Sequence, residues 1–398
     1  MMLETEAGTG SYEEVTQSEW PQDGYVFNES LSRCENGGTL SWDDDAKKVI
    51  MKSNSSDKCY VYFDIYVEPT IGQKICNNNG ANSLACYVAN SIYTEDGANG
   101  LYYHDGVGTY TNASQEAGDN SYRYSGANPN NYVCFGSDSA ACPNDNLYRI
   151  IGLFDDDKDG TYNVKLIKYD YVTSEMLGTD GRDYAGTYSE NTGNYKGNMN
   201  TSTIAAYMWN YDTSISEYGS SNWTTSELNK INLNTNYINY LSNINSKWAN
   251  MIATTTWHLG AVDNNYKTVK EFYNDERGND SYEDNPITYT DEIGLMYPSD
   301  YGYAASPENW MTHLIDYDNS LNRNNNWMYM GLFEWTITTF KFYGNHVFSV
   351  EYIGNVYGMD SNIANLKLAL RPVFYLKTNV NIADGTGTSS DPYRLSVN

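Results

Sequence analysis

Short alternations of apolar and polar residues recur along most of the chain, separated by clusters of glycine, asparagine and serine. That pattern predicts many brief strands joined by turns. In the first part, Tyr25–Phe27, Thr39–Trp42, Lys48–Met51 and Cys59–Phe63 read as strands of a small β-domain that Glu68-Pro69 closes. Residues 84–94 suit a helix, and the glycine- and asparagine-rich stretch 96–120 reads as an exposed connector. Beyond it, Asn131–Phe135 and Leu147–Phe154 read as strands, and Tyr162–Ile167 as the hairpin partner of the second. Leu228, Ile231, Tyr237, Leu241, Ile244 and Trp248 recur at helical spacing behind Thr224-Thr225-Ser226-Glu227, a capping-box pattern, with a break expected near Asn234. Trp327–Met330, Phe333–Ile337, Val347–Val350 and Leu370–Leu376 are further short aromatic runs between polar loops. A few helices among many short strands predict an α+β class. The expected organisation is a β-domain over 1–68, a helix and connector over 69–120, and a larger α+β domain over 121–398.

Composition changes the picture in two ways. With 39 Tyr and 9 Trp against 10 Phe, aromatic bulk comes mainly on rings with a polar tip, suited to half-buried or contact-making positions. A/T-rich codon bias would inflate Tyr and Asn too, but it would also raise Lys, and Lys plus Arg number only 24. The net charge of −27 disfavours nucleic-acid and anionic-membrane partners. No apolar stretch reaches the ~18 residues of a membrane span, so a membrane role is expected only through an anchor or export signal outside this sequence.

Six cysteines fall as close pairs, Cys34/Cys59, Cys76/Cys86 and Cys134/Cys142. None has zinc-type spacing, so disulfides made outside the cytoplasm are expected. Six cysteines allow 15 connectivities; nearest-neighbour pairing is expected because each pair flanks one local unit. The alternative is six buried thiols.

The order of motifs carries a resemblance. Leu147–Phe154, Asn222-Trp223-Thr224, Ile293–Gly302, Trp327–Gly331, Glu334-Trp335-Thr336, Gly354–Tyr357, Leu370–Leu376 and Gly385–Tyr393 follow one another. Together with the Tyr25–Phe63 unit they resemble a family of uncharacterised Gram-positive bacterial surface proteins, many with an N-terminal membrane anchor. More distantly, the Glu-Trp-Thr run and the Arg371-Pro372 strand resemble the C-type-lectin-like fold in its formylglycine-generating-enzyme version. That resemblance implies a C-terminal domain of this fold. It further implies a binding surface over Thr338–Asn365 of the kind that retroelement-diversified variable receptors randomise.

Candidate chemistry is sparse for an enzyme. His104, His258, His313 and His346 lie in neither a zinc-protease nor a nucleophile-elbow motif. Formylglycine chemistry needs cysteines in the lectin-like core, and none follows Cys142. Calcium is the one cofactor considered: Asp155, Asp157 and Asp159 before Gly160 alternate as oxygen ligands do. Leu166 at the twelfth position excludes an EF-hand, and the same aspartates also suit a solvated hairpin tip. The lectin sugar motifs EPN, QPD and WND are absent; Pro307-Glu308-Asn309 matches only in part.

For ligand contact, Phe340, Lys341, Phe342, Tyr343, His346, Ser349, Glu351, Tyr352, Tyr357, Met359, Asp360 and Asn362 are the candidates. Val347, Phe348 and Val350 read as inward, leaving Ser349, Glu351 and Tyr352 outward. Tyr with Ser, Gly and Asn is the composition of adaptable binding surfaces; packing in the domain's own core is the competing reading. Arg371 reads as structural, satisfying a buried carboxylate or carbonyls. The expected function is a surface-displayed adhesion or receptor protein that recognises a protein or glycan on another cell or particle. A pilus, filament or phage-like appendage subunit is the alternative, and a glycan-active enzyme the third reading.

Overall fold

The computed structural model describes residues 2–4, 12–14, 24–43, 45–66, 71–90, 100–107, 113–156, 158–214, 216–318, 324–358 and 363–397. The chain divides into two units, Met1–Thr70 and Ile71–Asn398. Helix takes up 22% and strand 29%, so neither dominates and the class is mixed α+β.

The first unit is a set of antiparallel two-stranded ribbons: Met2–Glu4 with Tyr12–Glu14, Tyr25–Phe27 with Phe63–Ile65, Arg33–Cys34 with Cys59–Tyr60, and Thr39–Asp43 with Lys48–Lys52. The expected strand Cys59–Phe63 breaks at Val61-Tyr62, so its two ends pair with different partners. Phe27, Trp42 and Phe63 pack within 6.3 Å of one another, Phe27 stacked on Trp42 and Phe63 edge-on to both. None of its described residues is buried. Across this thin core Cys34 is disulfide-bonded to Cys59, its direct partner in the ladder.

The larger unit is built on a nine-stranded sheet. Its strands are β1 (Leu101–His104), β2 (Ser121–Tyr124), β3 (Tyr132–Cys134), β4 (Leu147–Phe154), β5 (Asn163–Lys168), β6 (Ile293–Gly294), β7 (Val373–Tyr375), β8 (Val380–Asp384) and β9 (Tyr393–Val397). They run β6-β7-β5-β4-β3-β9-β8, with β2 on β4 and β1 on β2; only β3 and β9 are parallel. All eight residues of β4 are buried, as a strand that is apolar apart from Arg149 requires. Its Arg149 is satisfied by Asn131 Oδ1 at 2.7 Å and sandwiched by the rings of Tyr132 and Trp327. The sheet forks at β4: Leu147–Arg149 pair with β3, and Gly152-Leu153 with β2. Only glycine fits at position 152, where a Cβ would lie 2.1 Å from the Tyr122 carbonyl.

Strand β1 lies inside the stretch expected as an exposed connector. Leu101, Tyr102 and His104 are buried and pair across to β2. Two helices, α1 (Ile71–Asn79) and α2 (Leu84–Ala89), also belong to this unit. They are joined by the Cys76–Cys86 disulfide, and α2 packs on β4, β5 and β8. Cys134–Cys142 closes the loop between β3 and β4, so all three expected pairings are present.

The helical segment after Glu227 differs from expectation. Leu228–Tyr237 is π-helical and runs on into α-helix Ile238–Ile244, without a break at Asn234. There Asn234 is locked in place, donating to Asn229 Oδ1 and the Ile293 carbonyl. The break falls at Asn245, in extended backbone, whose side chain caps Ser246–Asn250. The expected capping box is not formed. Asn222 caps the preceding turn, and Glu227 is taken by Arg182 at 2.7 Å.

A charged network lies inside this unit. Lys165 Nζ is 2.6 Å from Asp300 Oδ2, and Arg123 reaches Asp119 Oδ2 at 2.7 Å and Asp300 Oδ1 at 3.6 Å. Nearby, Glu276 is sealed and accepts from the Ser299 amide at 3.0 Å and the Ser299 hydroxyl. Burial pushes its carboxyl up to about 7, against the pull of Arg277. The folded protein therefore holds an extra proton between the ordinary value of 4.5 and about 7. That contribution to stability is full below the unfolded pKa and is lost as pH rises through the folded one. Glu276→Gln is expected to gain about 3 kcal/mol relative to wild type on moving from pH 4 to pH 8. Denaturant unfolding at the two pH values measures it; an equal difference at both would refute it.

Candidate functional site

The tract expected to contact ligand begins on a second, three-stranded sheet: β10 (Glu334–Thr339), β11 (Val347–Val350) and β12 (Val356–Tyr357). Its foundation is rigid. Glu334 and Arg371, each about 2% exposed, form a two-pronged pair at 2.7 and 2.9 Å, and Arg371 also donates to the Met328 carbonyl. Arg371 thus holds the buried carboxylate and carbonyl expected of it. Trp335 is fully buried and donates from Nε1 to the Tyr207 carbonyl at 2.8 Å.

From this base the chain leaves β10 through a register shift and turns over residues 340–346 before re-entering at β11. The turn is pinned on both sides. The Phe340 amide donates to the His346 carbonyl at 3.0 Å, and the Lys341 amide to the Val262 carbonyl at 2.8 Å. A column of rings runs from core to surface. Phe272 packs on Phe348 at 5.2 Å, Phe348 on Phe340 at 5.8 Å, Phe340 on Tyr343 at 5.7 Å, and Tyr343 on His346 at 4.7 Å. Phe340 is 2% exposed, whereas Phe342 is 60% and Tyr343 47% exposed. Lys341 lies beside them, paired to Asp280 at 2.7 Å. Phe342 and Tyr343 thus stand outward against the buried Phe340 ring.

The other candidates are placed differently. Ser349 is fully buried, a correction to its expected outward role. The reason is that β11 is the middle strand with both faces covered, so alternation along it does not mean alternation between core and water. Phe340 is likewise interior and supports the outer rings without joining them at the surface. Glu351 is half-buried, and burial raises its carboxyl, opposed by a hydrogen bond from Asn355. Tyr352 is half-buried too, its ring against Phe333 at 5.1 Å and its carbonyl accepting from Tyr329. Tyr357 sits half-buried on β12, paired with Ser349. Met359, Asp360 and Asn362 lie outside the described residues.

Residues 211–221 were missed as a neighbour of the turn. Ser221 donates to the Gly344 carbonyl at 2.6 Å and Asn345 to the Ser216 hydroxyl at 3.2 Å. On this loop Tyr211 is 39% and Tyr218 47% exposed. The signal was available in its composition, since residues 211–221 combine Tyr211 and Tyr218 with Gly219 and four serines.

At the aspartate turn, Asp155 Oδ2 accepts from the Gly160 amide at 3.1 Å, and Asp159 Oδ1 from the Thr161 amide at 2.7 Å. Asp157 lies outside the described residues. Asn78 and Asn79 of α1 donate to the carbonyls of Gly160 and Tyr162 and tie the turn to the helix. Leu166 at the twelfth position is fully buried in the core. Cys34, Asp57 and Cys59 also come together, but both sulfurs are spent in the disulfide. Of the histidines, His104 is sealed between Tyr303 and Trp310, where burial lowers its pKa well below the usual value. His258 is lowered by burial and then by Arg277, and His313 is exposed beside Asp316.

No protein-family model matches the chain, and no curated protein or solved structure matches it either.

Proposed function

We propose that the chain is an extracellular, surface-displayed binding protein of bacterial origin that adheres to a protein or glycan on another cell or particle. Its larger unit is read as a C-type-lectin-like domain whose 340–346 turn makes the contact. One observation carries this reading: Phe342 and Tyr343 stand exposed at the end of a ring column rooted in the core. Contiguous exposed aromatics mark interaction surfaces, and rigid rings are the side chains that dominate binding energy. The three disulfides fit assembly in an oxidising compartment. Among the described residues, no helix is long and apolar enough to cross a membrane.

The test is retention of the full chain on glycan arrays and on intact bacterial and host cells. Wild type is expected to bind at least one of these surfaces above background. Phe342→Ser with Tyr343→Ser is expected to weaken that binding at least ~30-fold, the loss of about 2 kcal/mol typical of central aromatic contacts. Stability should fall by no more than about 1–2 kcal/mol, because Phe342 is mostly exposed and Tyr343 loses only its half-buried packing on Phe340 and His346. Wild type that binds nothing, or a double variant that binds equally well, removes the proposal.

A second reading, a pilus or filament subunit, is favoured by the first unit. Tyr25, Val26, Ile65 and Tyr66, on and beside one ribbon, are 37–69% exposed. Such a ribbon could pair with another copy. Concentration-dependent assembly in sedimentation would support it, and a monomer at every concentration would exclude it.

A further inference from the structure

A groove of about 490 Å³ lies on the larger unit, away in sequence from the 340–346 turn. One wall is the short helix Ser174–Leu177 with the turn that follows it; the other is one face of the helix ending at Ile244. Asn236, Asn239, Tyr240 and Asn243 share that face through their three- and four-residue spacing. The floor is apolar and rigid. Met176 is 3% exposed, and the half-buried Tyr240 ring stacks on Tyr237 with 11° between their planes. Tyr237 is itself fully buried and hydrogen-bonded to Tyr148. The turn wall is fixed as well, since Asn236 Nδ2 donates to the Leu177 carbonyl at 3.0 Å and to Asp180 Oδ1 at 2.5 Å.

The rim has a definite chemistry. Asn239 and Asn243 offer amide donors and acceptors, while Glu175 and Asp180 offer carboxylate acceptors. Among the described residues, no lysine or arginine lines the groove. The Tyr240 phenol is raised by burial and then by the charges of Asp145 and Glu175, so it stays protonated and keeps its O–H.

Each class of small ligand can be weighed against this inventory. An anionic sugar, phosphate or sulfate would meet two carboxylates with no cation, on a protein of charge −27. A cation would use the carboxylates and the asparagine carbonyl oxygens but leave the amide N–H groups and the Tyr240 ring face idle. A neutral sugar uses all of it. Its C–H face lies on an aromatic ring, its hydroxyls donate to carboxylates, and the same hydroxyls accept from amides. We infer that this groove is a binding site for a neutral oligosaccharide, with Tyr240 as the stacking platform and Asn239, Asn243 and Glu175 as the hydroxyl partners. It is a site separate from the 340–346 turn, and it sharpens the glycan arm of the proposed function.

Direct titration tests it, with the full disulfide-bonded chain and a panel of neutral gluco-, galacto-, manno- and N-acetylhexosamine tetrasaccharides. Calorimetry and saturation-transfer NMR supply the readouts. At least one tetrasaccharide is expected to bind, with transfer strongest to its ring C–H protons. Tyr240→Ala is expected to weaken it at least tenfold. Asn239→Ala with Asn243→Ala, both on the exposed rim and outside the core, is expected to do the same at unchanged melting temperature. Phe342→Ser with Tyr343→Ser should leave the affinity within twofold, which separates this site from the other. A panel that fails to bind overturns the inference, as does binding that survives both groove variants. A preference for sialylated or sulfated sugars over neutral ones overturns it too.

Discussion

Asp300→Ala is expected to destabilise the larger unit by about 3–5 kcal/mol, the range for removing one partner of a buried ion pair. Asp300 is almost wholly buried and does three jobs. It pairs with Lys165 at 2.6 Å and lies 3.6 Å from Arg123. It also accepts from the Tyr297 amide at 3.1 Å, capping the helix Pro298–Ala304. Its loss strands Lys165, which is fully buried and faces the rings of Tyr297 at 4.5 Å and Tyr375 at 5.3 Å. Burial already lowers the Lys165 pKa, and Asp300 is the main force opposing that. In the variant the folded state therefore sheds the lysine proton while the unfolded state keeps it. Where the unfolded chain binds more protons, stability rises with pH. The Asp300→Ala defect should thus shrink between pH 7 and pH 10. Lys165→Met with Asp300→Asn should recover most of the loss, because it removes the stranded charge and keeps the cap. Denaturant unfolding measures all three. A loss below ~1 kcal/mol for Asp300→Ala would mean the network carries little stability.

Removing the Cys34–Cys59 bridge should unfold the first unit outright. The loop-closure relation gives about 3.5 kcal/mol for a separation of 25 residues. Little else stabilises this unit: none of its described residues is buried, and its core is the half-exposed trio Phe27, Trp42 and Phe63. Small domains with so little buried surface depend on such staples. In Cys34→Ser with Cys59→Ser, proteolysis at 25 °C is expected to cut within residues 1–70 and to spare residues 71–398. Cys134→Ser with Cys142→Ser makes the contrast. That bridge closes a shorter loop beside Val133 and Phe135, both fully buried, so its unit should stay folded with a lower melting temperature. A first unit that resists protease without its bridge would show that packing alone holds it.

The candidate site was legible only in part. The aromatic tract 338–365 stands out by composition, and Phe342 and Tyr343 within it are outward. Ser349 was misread because alternation shows two faces but not what covers each of them. The groove had no sequence signal as a groove. Its walls are about sixty residues apart, and each alone looks like an ordinary polar helix surface.

By itself the sequence determined what neighbouring residues can decide. The hairpin Leu147–Phe154 with Asn163–Lys168 follows from an apolar run, an acidic turn and a second run. The three disulfides follow close spacing. The need of Arg371 for a buried partner follows from its charge within the apolar run Leu370–Leu376. Tertiary structure decided the rest. It drew Leu101–His104 into the main sheet, carried the helix through Asn234 to Asn245, covered both faces of Val347–Val350, and brought Lys165 to Asp300 across 135 residues. The division has one cause: turns and periodicity act over a few residues, whereas burial depends on partners that only the folded chain brings together.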